Sequence, residues 1–120
     1  SMGDCSVILE GVEAPDSPST LYSTVHGAGR VMSRTEAAGK RNRKTGELFR
    51  PGKVSSVMMT AWLAEQDVVL RGGGLDESPH AYRRLPDVLA AQGDTIRVIH
   101  TLHPLIVVMA GANEFDPYKD

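Results

Sequence analysis

The chain has 120 residues, 41% hydrophobic and 23% charged, with a formal net charge of −2. This is enough for one globular domain, and it excludes a global basic field, so any nucleic-acid contact has to be local. Cys5 is the single cysteine, which excludes an internal disulfide and fits a reducing, cytoplasmic compartment. No apolar run approaches the roughly 18–20 residues of a membrane span, so no membrane partner is expected.

Residues 5–12 (CSVILEGV) read as a strand, with Val7 and Leu9 on one face and Ile8 on the other. Residues 14–20 (APDSPST) are loop, by their prolines and turn formers. The run YSTVHGAGRVMSR over residues 22–34 follows. It sets His26 among Gly27, Ala28 and Gly29, whose small side chains let the backbone come near a ligand and point its N–H groups at it. A helix is predicted over residues 31–38, ended by Gly39. Were helix to follow the glycines directly, Arg30 and Arg34 would share one face as a double guanidinium clamp.

Lys40, Arg41, Arg43 and Lys44 form a basic cluster, read first as a solvated loop and second as an electrostatic contact for a nucleic-acid backbone. The cluster has no interleaved aromatics, which weakens the second reading. Val54, Val57, Met58, Ala61 and Trp62 fall at helical spacing and predict an amphipathic helix over residues 55–66, with Met58, Met59 and Trp62 in the core. Residues 67–70 are a short apolar run. The glycines at 72–74 mark a turn or bulge; no Lys-Ser/Thr helix start follows, which argues against a P-loop.

Ser78 and Pro79 are placed to cap and open a helix with Leu85, Val88 and Leu89 as its stripe, Pro86 kinking or restarting it, and Gly93 ending it. Residues 95–102 alternate as a strand, and residues 105–109 read as a buried strand. The rest is tail. The class expected is α+β, a mixed sheet with packed helices.

Of the four histidines, His80, His100 and His103 read as surface or satisfied groups, and no cluster has zinc-like spacing. His26 differs by its setting. A neutral imidazole, with a free pKa of about 6.5, is a competent nucleophile toward phosphorus. Attack on a nucleotide α-phosphate would give a phosphoramidate, and the charge on the non-bridging oxygens needs cations or N–H donors.

The stretch HGAGRVMSR (residues 26–34), the opening SMGDCS, the later DESPHAY (residues 76–82), then AAQGD (90–94) and TLHPL (101–105) occur in an order that resembles the C-terminal part of the RtcB family, the GTP-dependent RNA 3′-phosphate/5′-hydroxyl ligases. The resemblance implies that residues 1–111 are the C-terminal portion of an RtcB-like ligase domain and 112–120 a tail. It implies that His26 is the residue that becomes guanylylated. Gly27, Ala28 and Gly29 match positions lining the GMP site, and Ser1 and Met2 the end of a Pro-Gly-Ser-Met nucleotide loop. Ser6 matches a serine that contacts the nucleotide, Tyr82 a tyrosine near the guanine, and Arg30 and Arg34 arginines suited to RNA or nucleotide phosphates.

The implied substrates are GTP and RNA with 3′-phosphate (or 2′,3′-cyclic phosphate) and 5′-hydroxyl ends. Mn2+ is the implied metal, its ligands expected outside this chain, and an archease-like protein is the implied activator. The resemblance breaks at Met109, where many members carry a lysine that touches the nucleotide; Lys119 is the candidate replacement. Residues 39–53 are also more basic and Gly-rich than the resemblance leads one to expect. A non-catalytic nucleotide- or RNA-binding remnant is the alternative reading.

Overall fold

The computed structural model describes residues 2–42, 44–111 and 114. Ser1 and Lys119, both expected at the nucleotide, lie outside the described residues, as does most of the expected tail. The architecture is α+β, with the strands of the described residues distributed over three two-stranded ribbons.

Strand β1 (Ser6–Gly11) pairs antiparallel with β5 (Ile96–Leu102), Ser6 opposite Leu102 and Gly11 opposite Ile96. The predicted alternation is kept in β1, whereas in β5 only Ile96 is partly buried and Arg97 to Leu102 are exposed. Val7 and Leu9 are half-buried and Ile8 exposed. The register shifts between Ile8 and Leu9, a bulge of the kind that bends a strand and increases its twist.

Helix α1 (Arg34–Ala38) starts three residues later than predicted. Residues 30–32 form a bridge and a bend instead: Arg30 bridges Tyr82, and the Val31 amide donates to the Ala81 carbonyl at 2.9 Å. Ser33 then caps the helix, its hydroxyl accepting from the Glu36 amide. Arg30 therefore precedes the helix, and the predicted shared helical face of Arg30 and Arg34 does not form. The basic cluster is not a plain loop either. Strands β2 (Gly39–Arg41) and β3 (Leu48–Pro51) pair antiparallel as a hairpin.

Helix α2 (Ser56–Glu65) is capped by Ser55, whose hydroxyl accepts from the Met58 amide at 3.2 Å. Its predicted amphipathic face is corrected. Leu63 is buried, with Met59 and Trp62 half-buried, while Val57 is 76% exposed. Ser56, Thr60 and Glu65 interrupt an otherwise apolar helix, so its apolar residues do not gather on one face.

Strand β4 (Val69–Arg71) lies parallel to β6 (Ile106–Val108), Leu70 opposite Val107. The strand predicted there is present, but not its burial: Val108 is 76% exposed. Ser78 and Pro79 open only a 3-10 turn (Pro79–Ala81), without a side-chain cap. Helix α3 (Leu85–Ala91) starts afresh with Pro86 in its first turn, where a missing N–H is harmless.

Two small clusters form the core. Met2, Leu63 and Val68 are packed by Met59, Trp62, Leu70, Val107 and Met109; Ala37, Val54 and Ala81 by Met32, Leu75 and Tyr82. The radius of gyration is 17.0 Å, against about 14 Å for a compact domain of this length. Among the described residues no helix is long and apolar enough to cross a membrane.

Candidate active site

Three distant segments converge on a cleft of about 420 Å³. Strand β1 and the residues before it contribute Asp4, Cys5, Ser6, Val7 and Leu9; the histidine loop contributes Thr24 to Ala28; α3 contributes Leu85 and Leu89. Val7, Leu9, Val25, Leu85 and Leu89 make an apolar wall, and Asp4, Ser6, Thr24 and His26 supply the polar groups. This size and mixture suit a small-molecule site. His26 is exposed on the cleft and Ala28 half-buried. Ser6, His26, Gly27 and Ala28, all expected at the nucleotide, are thus brought together.

The exit of the loop is fixed by backbone pairing. The Arg83 amide donates to the Gly29 carbonyl at 3.0 Å, next to the Arg30–Tyr82 bridge. Gly29 has φ +76°, a left-handed conformation that favours glycine, and a Cβ there would have only the mobile end of the Arg83 side chain to displace.

Arg30 and Arg34 turn toward the DESPHAY segment. Arg30 donates through Nη2 to the Asp76 carbonyl (2.6 Å), through Nη1 to the Tyr82 hydroxyl (2.9 Å) and through Nε to the Met32 carbonyl (3.1 Å). Arg34 donates to the Asp76 carboxylate at 3.0 Å and to Glu77. The Tyr82 hydroxyl in turn donates to Glu77 Oε2 at 2.5 Å. The two guanidiniums are neutralised by the two carboxylates, all partly buried. Tyr82 lines a second cavity of about 570 Å³ that shares Val25 and Ala28 with the first.

Met2 is only 2% exposed, its side chain packed in the core; of its groups, only the backbone is left for a ligand. Met109 packs on the same cluster, and its amide donates to the Arg71 carbonyl. His80 is satisfied by Ser78, 3.0 Å from Nδ1, and meets Trp62 edge-on. His100 and His103 are exposed.

Sequence reasoning missed Asp4 and Arg84. Asp4 Oδ2 lies 3.5 Å from Arg84 Nη1, and the same guanidinium sits 4.1 Å from the centre of the Trp62 ring. Burial, with the Asp4 carboxylate beside it, holds the Cys5 thiol above its ordinary range. No sequence spacing links residues 4, 62 and 84; only opposite charge hinted at the pair.

A family model described as tRNA-splicing ligase RtcB matches residues 1–110. The chain belongs to the RtcB family. RtcB relatives include the RNA-splicing ligase RtcB of Mycobacterium tuberculosis, 35% identical over 111 residues and 88% of this chain. The RNA-splicing ligase RtcB of Escherichia coli K12 is 34% identical over 109 residues and 90% of this chain. In both cases the chain spans only 22% of the relative's own length. Among the described residues, no group of three or more His, Cys, Asp or Glu side chains could hold a metal ion. This segment of the RtcB fold therefore does not by itself fit the implied Mn2+.

Proposed function

We propose that this chain supplies the nucleotide-accepting histidine loop of an RNA ligase that joins a 3′-phosphate or 2′,3′-cyclic phosphate end to a 5′-hydroxyl end. A cyclic end is first hydrolysed: water adds to phosphorus, the P–O2′ bond breaks, and a 3′-phosphate and 2′-hydroxyl remain. A ring nitrogen of His26 attacks the α-phosphorus of GTP, forming an N–P bond while the bond to pyrophosphate breaks. The RNA 3′-phosphate oxygen then takes the GMP from His26. Finally the 5′-hydroxyl attacks the 3′-phosphate, its proton is lost, and GMP leaves.

Gly27, Ala28 and Gly29 let the phosphates approach the backbone, and Ser6 offers a hydroxyl across the cleft. The guanidiniums of Arg30 and Arg34 reach phosphate only by sharing or exchanging Asp76 and Glu77. Their first task is to hold the loop against residues 76–82. Charge neutralisation by Mn2+ has to come from outside the residues described here, as does any archease-like activator.

One observation carries this reading. In an RtcB-family chain, Ser6 and the His26–Ala28 backbone, separated in sequence, face one cleft. The test is mass spectrometry of the complete, metal-loaded ligase after exposure to GTP. A GMP adduct on the His26 peptide, absent in His26→Ala, is expected; an unmodified peptide overturns the reading.

A second reading, a nucleotide- or RNA-binding remnant without chemistry, is favoured by Met109, an apolar residue packed on the core at the place of a family lysine. RNA binding that persists in His26→Ala, with no adduct in the parent, supports it.

A further inference from the structure

Residues 39–53 carry six of the chain's 13 lysines and arginines and one carboxylate, Glu47, in a chain whose net charge is −2. The β2–β3 hairpin gives that excess a shape. Lys40 stands directly opposite Arg50 in the antiparallel register. Like charges in this position oppose pairing, and among the described residues neither forms an ion pair. Phe49, 61% exposed, lies with its ring centre 5.5 Å from Lys40 Nζ. The aromatic missing from the linear cluster is thus supplied by the facing strand.

The hairpin is rigidly mounted. At its tip the Asn42 side chain accepts from the Lys44 amide at 2.9 Å, and the Gly46 amide donates to the Asn42 carbonyl at 2.8 Å. At its base a Cβ on Gly52 would stand 2.1 Å from the Ala37 carbonyl oxygen, so only glycine lets the strand press on α1. The Lys53 and Val54 amides donate to the Glu36 and Ala37 carbonyls. Lys53 itself pairs with Glu36, which holds that carboxyl below the usual range, so Lys53 is not among the uncommitted cations. Helix α1 begins at Arg34, the last residue of the histidine motif.

We infer that the β2–β3 hairpin is a docking surface for the phosphodiester backbone of single-stranded RNA, with Phe49 as a stacking platform for one base. The inference rests on the RNA substrate of the reading above. Among the described residues Lys40, Lys44 and Arg50 form no ion pair, and such charge with an exposed ring beside it is the combination that binds single strands without sequence preference. A lipid surface fits less well, because Leu48 and Phe49 alone make no broad apolar face to insert.

The test is fluorescence anisotropy of a labelled single-stranded RNA with the complete ligase over a potassium chloride series, without GTP. The triple variant K40Q/K44Q/R50Q changes only exposed side chains. It is expected to bind at least about tenfold more weakly at low salt, with a log–log salt slope reduced by about 2, near 0.7 per phosphate contact. Phe49→Ala is expected to weaken binding about fivefold with the slope unchanged. Circular dichroism matching the parent confirms that the variants fold, and R50K, which keeps the charge, is expected to keep the slope.

Parent affinity and slope in the triple variant overturn the inference. So does the absence of RNA binding by the parent at low salt, or tighter binding to phosphatidylserine vesicles than to RNA. Parent affinity in Phe49→Ala overturns the stacking role. Since no GTP is present, this result and the His26 adduct are read separately.

Discussion

The Arg30 guanidinium carbon lies 4.8 Å from the centre of the Tyr82 ring, and its Nη1 donates to the Tyr82 hydroxyl at 2.9 Å. This contact joins the exit of the histidine loop to the end of the DESPHAY segment, with Glu77 accepting from the same hydroxyl. Tyr82→Phe keeps the ring and removes the bridge. A loss of about 1–2 kcal/mol is expected in urea unfolding, since Glu77 forfeits a charge-assisted partner. Glu77→Ala is expected to lose more, about 2 kcal/mol or above, because Arg30 and Arg34 are left with Asp76 alone. Equal stability of both variants with the parent would show that the network is not needed to hold the loop.

Trp62 is the chain's single tryptophan, with Arg84 over its face and His80 at its edge. It also packs on the Met2–Leu63–Val68 cluster. Trp62→Ala is expected to destabilise by about 3 kcal/mol, and Arg84→Ala by about 1 kcal/mol through the cation–π contact and the Asp4 pair. Both are read as shifts in the midpoint of thermal unfolding by circular dichroism. An Arg84→Ala midpoint equal to the parent's would assign Arg84 no structural part.

How much of this was legible in sequence depended on how local the signal was. Ser55 and the apolar spacing after it give α2 to within a residue, because capping and helical period are short-range properties. The alternation through Val7 and Leu9, and through Ile96 and Val98, gives β1 and β5. The β2–β3 hairpin was missed because its turn is made by an Asn42 side chain and a left-handed Gly46 amid a charge run that reads as loop. Pairing of Arg34 with Asp76 joins residues 42 apart, which no local pattern encodes. His26 stood out through its small neighbours, whereas Ser6 entered only through family resemblance, since strand threading brings it to the cleft. The burial predicted for β6 failed because an apolar run records that a strand is to be covered, not what covers it.

Cys5 gives a pH-dependent reading of the cleft. Its thiol is held above the ordinary range first by burial and then by Asp4. The thiolate is the nucleophile, so a raised pKa leaves less of it at neutral pH. Iodoacetamide alkylation at pH 7 is therefore expected to be slower than for an unhindered thiol, with the rate rising only at pH above the ordinary thiol range. Asp4→Asn removes the carboxylate charge and leaves the burial; it is expected to move that rise to lower pH. The reverse shift, or none, would leave the Asp4 contribution without support.

The isolated chain is expected to be inactive, and the reason is structural. His26 and its small-residue loop are present, but among the described residues no group of three or more His, Cys, Asp or Glu is placed to hold a metal, and phosphoryl transfer to an imidazole leaves charge on the phosphate oxygens that the neutralised Arg30 and Arg34 are poorly free to meet. Exposed Val57, Ile106 and Val108 on α2 and β6 are apolar surface that a larger fold would cover. Incubation with α-labelled GTP and Mn2+ followed by denaturing electrophoresis is thus expected to show no labelled chain, while 8-anilinonaphthalene sulfonate fluorescence rises on mixing with the same sample. A covalent label on the isolated chain would mean that these residues complete the charge balance unaided, and the metal requirement drawn from the resemblance would then not apply to this step.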